Sequence, residues 1–262
     1  MISLNKSKNA VKDAREKKSS LTVVITGGSK GLGRSLAENY HKQDHKVITL
    51  SRNNVKTPWK HVKGDLTTKN TVLEAFDDIM LASNSHVDIW INNAAMSGGY
   101  HEFLSRDDKE VCDILFTNLV APAVLSKKAY DVMIQQNTRG DIYNIAGAGS
   151  NGRGTPFFAL YGSSKAGIKQ FTASLQKEWD KTGVHLHMLS PGMMTTPLLM
   201  NGLPDDVLNA IKPFTNTPSE VADVVCQDIL DNYYSCEKNK YVNFWSLDRI
   251  VKKMFENITN SS

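Results

Sequence analysis

Long apolar runs are missing from this sequence. No stretch approaches the roughly 18 to 20 residues that a bilayer crossing requires, and the richest, such as Val87–Ile91, are only strand-sized. Membrane insertion is therefore not expected. Cysteine is scarce as well. Cys112, Cys226 and Cys236 show no metal-ligand spacing and cannot pair into a framework. The expectation is no metal and a reducing, cytoplasmic setting, with organelle targeting left open. The 262 residues also lack an internal repeat and any Pro/Gly/Ser-rich linker, which argues for one domain. Net charge is small, a formal +4, and the excess sits at the start. There Lys6, Lys8, Lys12, Arg15, Lys17 and Lys18 oppose only Asp13 and Glu16. No apolar segment follows them, so this is not a secretory signal. Residues 1–20 read as a solvated, flexible leader; nucleic-acid binding through it is the weaker alternative and is not expected.

From Leu21 onward, short β-branched runs alternate with amphipathic stretches. Strands are expected at Leu21–Thr26, Lys46–Ser51, Lys60–Lys63, Val87–Ile91, Asp141–Ile145, Val184–Leu189 and Tyr241–Phe244. Helices are expected near Leu32–Lys42, Thr68–Ser83, Ala159–Lys181 and Pro218–Asn232, with one long helix over Lys109–Gln136. Such alternation calls for a doubly wound α/β fold of the Rossmann type: a parallel sheet of about seven strands with helices on both faces. The domain would run over 21–245, include a lid at about 193–215, and be followed by a tail at 246–262.

The first strand runs into Thr26-Gly27-Gly28-Ser29-Lys30-Gly31-Leu32-Gly33 and then a helix. Gly27 permits a tight turn, Gly31 lets backbone approach a diphosphate, and Gly33 lets helix pack closely on strand. The backbone of this segment, Ser29 and Leu32 included, forms a helix start whose open N–H groups suit phosphates. NAD-binding sheets usually end the second strand with an acid that holds the ribose hydroxyls. That acid is lacking here, where the strand ends Thr49-Leu50-Ser51-Arg52-Asn53. Arg52 and Lys30 can instead meet a 2′-phosphate. NADP(H) is thus the expected cofactor, with NAD disfavoured.

The pattern Gly-x-x-x-Gly-x-Gly, with Asn92-Asn93-Ala94-Ala95 and Tyr161-x-x-x-Lys165, resembles the classical short-chain dehydrogenase/reductase family over about Leu21 to Phe244. The resemblance implies that Asp65 meets the adenine and that Asn93 lies beside the cofactor. It implies that Asn118 holds a water in a proton relay, and that Pro191, Gly192 and Thr196 contact the nicotinamide end. It also implies a homodimer or homotetramer paired through the helices of Asn118 and Tyr161. Tyr161 and Lys165, at i and i+4, project from one helical face. An ammonium beside the phenol would lower a titration point that is ordinarily about 10. Tyr161 would then donate a proton to a carbonyl oxygen while the nicotinamide delivers hydride, and Lys165 would anchor its ribose.

One departure stands out. The family's usual serine, some thirteen residues before the tyrosine, is Ala148, and its Asn-x-Ser-Ser reads Asn144-Ile145-Ala146-Gly147. Ser150 is the nearest hydroxyl: it either polarises the carbonyl in place of the missing serine or is a loop residue without a role. The Gly147-Ala148-Gly149-Ser150 loop and Ser190-Pro191-Gly192-Met193-Met194-Thr195-Thr196 are similar to the chlorophyll(ide) b reductase-like branch, whose members reduce a formyl group on a large tetrapyrrole. Ala146 stands where that branch usually carries an acid. Met193, Met194, Leu198, Leu199, Met200 and Leu203, with Phe157 and Phe158, suit a bulky hydrophobic carbonyl compound or fill the core. The reading is an NADPH-dependent carbonyl reductase. Its alternative is a cofactor-binding sensor or scaffold without turnover; an epimerase is disfavoured by Lys30 three residues after Gly27 and by the lack of a C-terminal substrate domain.

Overall fold

A computed structural model describes residues 20–136 and 138–235 and the backbone of 241–243. The basic leader up to residue 19, Cys236, Phe244 and the expected tail at 246–262 lie outside the described residues. Seven strands, all parallel, form one sheet: β1 (Thr22–Thr26), β2 (Lys46–Ser51), β3 (Lys60–Lys63), β4 (Ile89–Asn92), β5 (Gly140–Ile145), β6 (Val184–Ser190) and β7 (Tyr241–Asn243). Their order is β3-β2-β1-β4-β5-β6-β7, so the chain reverses direction of travel between β1 and β4. Ligands of open parallel sheets bind at such a switch point, outside the carboxyl ends of the strands.

The central strands are buried on both faces, as their continuous runs of Val, Ile and Leu require. On one face, Val23, Ile25 and Ile91 meet Leu36 and Tyr40 of α1 (Gly31–Lys42) and Val221, Val225 and Ile229 of α8 (Pro218–Ser235). On the other, Val24, Ile48 and Trp90 meet Val72, Phe76 and Ile79 of α2 (Lys69–Ser83) and Leu125 and Met133 of α4 (Ala121–Gln135). A smaller cluster of Ala146, Ile168 and Met188 lies under α5 (Ala159–Glu178). Among the described residues, no helix is long and apolar enough to cross a membrane.

Expected and observed boundaries agree within three residues, with one exception. The single helix expected over Lys109–Gln136 is broken into α3 (Asp108–Leu115), a π-turn at Phe116–Val120, and α4. Two features explain the break. Pro122 lies in the first turn of α4 and has no N–H to give the Asn118 carbonyl four residues back. The Asn118 side chain is also drawn inward: its Oδ1 accepts from the Met96 N–H and its Nδ2 donates to the Met96 carbonyl, both at 2.8 Å.

At the opposite end of the sheet lies a buried charge. Asp141 at the start of β5 is gripped by Arg139, with Nε to Oδ1 at 3.2 Å and Nη2 to Oδ2 at 3.0 Å. His185 and His187 of β6 stand 3.5 and 3.6 Å from Oδ1. Burial disfavours the carboxylate, yet the two histidines and the guanidinium outweigh it and hold Asp141 below the usual carboxylate range. No metal was expected, and the fold brings ligand atoms of Asp141, His185 and His187 within 4.8 Å of one another. Arg139 supplies a counter-charge to both carboxylate oxygens.

Candidate active site

The glycine turn begins where β1 leaves the sheet. Gly27 and Gly31 adopt φ of 73° and 58°, a region that side-chain-bearing residues enter at a cost. The N–H groups of Gly27 and Gly28 both donate to the Leu50 carbonyl, at 2.7 and 3.1 Å, which pins the turn to the end of β2. Asn93 braces it from β4, its Nδ2 donating to the carbonyls of Thr26 at 2.9 Å and Gly27 at 3.3 Å. Thr26 Oγ1 in turn accepts from the N–H groups of Asn93 and Ala94, each at 3.0 Å. Thr26 was not singled out in the sequence, where nothing separates it from any strand-ending threonine.

Helix α1 opens from this turn with no side-chain cap on Lys30 and no acid in its first turn. Its leading N–H groups and partial positive charge therefore face outward. The side chain of Leu32 is buried in the core, so its backbone is what it offers. Ser29 is half-buried, while Lys30 and Arg52 are exposed. The Asp65 carboxylate accepts from the Leu66 N–H at 2.7 Å. Thr196 is nearly buried, and a Cβ built on Gly31 would lie 3.3 Å from its methyl group. The lid segment thus rests against the glycine turn. A tight backbone cradle beside an uncapped helix start fits a dinucleotide.

Tyr161 and Lys165 lie on the first turns of α5. A Cβ at position 147 would come within 2.5 Å of the Tyr161 hydroxyl, so only glycine leaves room for it there. Lys165 is buried, donates from Nζ to the Ile145 carbonyl at 2.9 Å, and stands 5.6 Å from the centre of the Tyr161 ring. Burial shifts the two groups in opposite directions: the phenol is pushed up to about 12 and the ammonium down to about 8. The expectation that Lys165 lowers the phenol is therefore corrected. The Lys165 ammonium is directed at a carbonyl, and desolvation dominates at the tyrosine.

Asn118 is buried and, besides holding Met96, donates from Nδ2 to Ser164 Oγ at 3.1 Å. Ser150 lies between the loop after β5 and α5. Its hydroxyl accepts from the Gly147 N–H at 3.0 Å and donates to the Lys165 carbonyl at 3.2 Å. In this arrangement its hydrogen points at backbone, and it clamps the loop after β5 onto α5.

Between these elements lies a cavity of about 460 Å³ lined by Ala146, Gly147, Ala148, Ser190, Pro191, Gly192, Met193 and Phe214. Gly147, one of these lining residues, is also the neighbour of the Tyr161 hydroxyl. The segment expected to be a lid, 193–215, contains α6 (Pro197–Met200), α7 (Asp205–Ile211) and a 3₁₀ turn at Lys212–Phe214. Its ends are tied by the Asn216 N–H to the Met193 carbonyl at 3.1 Å and the Thr195 N–H to the Asn216 carbonyl at 2.9 Å. Of the apolar lid residues, Met193 and Phe214 are exposed at the cavity, whereas Leu203 is buried and Met194 packs on the core. The Tyr100 ring lies tilted by 39° against Phe157 at 4.3 Å and meets Phe158 edge-on at 5.7 Å. Arg106 supports this aromatic group by donating to the carbonyls of Gly98 and Gly99 at 2.8 and 3.1 Å.

A family model described as short chain dehydrogenase matches residues 21–206. A chlorophyll(ide) b reductase, chloroplastic, of Arabidopsis thaliana is 33% identical over 257 residues, covering 90% of this chain and 73% of that protein. A probable chlorophyll(ide) b reductase of the same plant, also chloroplastic, is 31% identical over 258 residues and 87% of this chain; the match spans about half of that relative's length, 51%. Among solved structures, 4-hydroxyisoleucine dehydrogenase complexed with NADH superposes with a TM-score of 0.72 at 23% identity, covering 85% of this chain and 97% of that one.

Proposed function

Because the chain belongs to the short-chain dehydrogenase family, we propose that it is an NADPH-dependent reductase that converts the aldehyde or ketone of a bulky hydrophobic compound to an alcohol. The observation that carries this reading is the Tyr161 hydroxyl held against Gly147, which lines the cavity together with Pro191 and Gly192; burial keeps that phenol protonated. A nicotinamide bound beside Tyr161 would supply the hydride for the carbonyl carbon. The Tyr161 O–H gives its proton to the carbonyl oxygen, so C=O becomes CH–OH and the phenolate remains. Lys165, beside the Tyr161 ring with its ammonium on the Ile145 carbonyl, would anchor the ribose of the nicotinamide. The Asn118 side chain is committed to Met96 and Ser164. Its backbone carbonyl, which Pro122 cannot serve, is what Asn118 offers to a relay water.

The turn from Gly27 to Gly33 would hold the diphosphate, and the exposed Lys30 and Arg52 the 2′-phosphate. Substrate bulk is inferred from Met193 and Phe214, exposed where they line the cavity. The relatives named above are chlorophyll(ide) b reductases; with Ala146 in place of the branch's acid, the proposal extends to the substrate class only. We carry the family's assembly over as well, as a homodimer or homotetramer paired through α4 and α5, where Val120 and Ile134 expose apolar surface beside α4. A thiol-reducing compartment, cytoplasmic or organellar, suits the free Cys112 and Cys226.

The test is NADPH oxidation with a panel of aromatic and polycyclic aldehydes and ketones. Turnover that is abolished in Tyr161→Phe supports the reading. Tight NADPH binding without turnover on any compound would favour the non-catalytic sensor, to which the committed Ser150 hydroxyl lends its one observation. Activity confined to small polar aldehydes would defeat the bulky-substrate claim. Equal efficiency with NADH would defeat the cofactor claim.

A further inference from the structure

We propose that Trp59, Thr49 and His61 form a hydrogen-bonded relay that positions the Arg52 turn and so sets the choice between NADPH and NADH. The inference rests on the reading above, in which Arg52 takes the 2′-phosphate, and adds the residues that hold it there. Thr49 lies in β2, and its side chain faces the glycine turn: a Cβ built on Gly28 would lie 2.5 Å from the Thr49 Cβ. The hydroxyl of the same residue accepts from Trp59 Nε1 at 3.0 Å and contacts His61 Nδ1 at 2.8 Å. His61 Nε2 lies 3.0 Å from the Asn53 carbonyl and 3.2 Å from Ser51 Oγ.

Donor counting orders the chain. A carbonyl can only accept, so His61 Nε2 carries the hydrogen directed at Asn53. In the neutral ring Nδ1 is then an acceptor, and the single Thr49 hydrogen must point to it. The Asn53 carbonyl receives a second donor, Ser51 Oγ, at 2.9 Å. Two donors on one carbonyl fix the turn Ser51-Arg52-Asn53, with exposed Arg52 between its ends. At the other end of the relay, the Trp59 ring lies 5.0 Å beneath the Arg34 guanidinium of α1. Trp59, Thr49 and His61 thereby connect the glycine turn, the first cationic turn of α1 and the Arg52 turn. A guanidinium carried on a fixed backbone loses less freedom on meeting a phosphate than one on a loose loop, and affinity rises accordingly. NADH has no phosphate there and gains nothing from that order. The relay residues touch no part of the nucleotide in this scheme, so they are positioning residues.

The experiment measures kcat and KM with NADPH and with NADH for wild type, Thr49→Val, His61→Phe, Arg52→Ala and the Thr49→Val/Arg52→Ala pair. Valine keeps the methyl beside Gly28 and removes only the hydroxyl. Thr49→Val and His61→Phe are each expected to lower the NADPH-to-NADH ratio of kcat/KM about fivefold, the size of a typical coupling between neighbours, mainly through KM for NADPH. Thr49→Ser restores the ratio, and Thr49→Val changes it little once Arg52 is alanine. Equal losses with both nucleotides, or additive effects in the double variant, overturn the relay while leaving the cofactor reading intact. An unchanged ratio in Arg52→Ala overturns the cofactor reading and the relay with it.

Discussion

At the scale of single residues, the absence of a side chain at position 147 has a definite cause. The Tyr161 hydroxyl occupies the space a Cβ would take. Gly147→Ser adds a hydroxyl to the loop after β5, yet it should lower kcat/KM by at least about tenfold, because displacing the phenol costs upwards of about 1.4 kcal/mol in the transition state. Steady-state kinetics on Gly147→Ser checks this, and a gain in activity would show that the phenol does not need that space. Lys165 illustrates a different tension. Holding its ammonium near 8 rather than 10.5 costs the folded chain on the order of 3 kcal/mol at neutral pH. The sign follows from proton binding: below pH 8 the burden is fully present, and it is relieved as pH rises through 8 towards the unfolded value. Lys165→Met removes the charge and leaves one carbonyl unpaired, at about 1–3 kcal/mol. The variant should unfold at no lower temperature than wild type at pH 7 while losing reductase activity; a large drop in Tm would mean the lysine stabilises the fold.

Among elements, the π-turn at Phe116–Val120 is held by three hydrogen bonds from one side chain. Asn118→Ala leaves the Met96 N–H and carbonyl without partners, and a loss of about 2–3 kcal/mol is expected in urea unfolding. A shift near zero would show that Pro122 alone sets the turn. This element also marks where the sequence stopped being legible. A strand such as β1 announces itself through Val23, Val24 and Ile25, and the glycine turn through spacing, because backbone demands fall directly on residue type. One extra residue in a helical turn leaves the apolar periodicity of 109–136 almost intact, so the break was invisible. Tyr161, Lys165 and the turn glycines were readable as a constellation. What Ser150 does, and which way burial moves the phenol, depend on contacts between segments distant in sequence, such as Gly147 with Tyr161, which no local pattern encodes.

For the molecule as a whole, the proposed site and an ion-paired cluster occupy opposite ends of one sheet. The cavity residues follow β5 and β6, while half-buried Arg139 and buried Asp141, His185 and His187 lie before or within the same strands. The depressed Asp141 titration means its stabilisation is present above the ordinary carboxylate value of about 4 and is lost as pH falls below it. Asp141→Asn should cost about 1–3 kcal/mol at pH 7, because Arg139, His185 and His187 lose the charged acceptor they face. Denaturant unfolding of the two proteins across acid pH checks the sign: the gap between them should narrow below about pH 4, and a constant gap would assign the loss to shape rather than charge.

The closeness of Thr196 to Gly31 has a kinetic consequence for the proposed reductase. With the diphosphate on the glycine turn, residues 193–196 would reach both the nucleotide and the cavity, and the nucleotide is expected to load first and depart last. Oxidised nucleotide should therefore inhibit competitively against reduced nucleotide and against no other reactant.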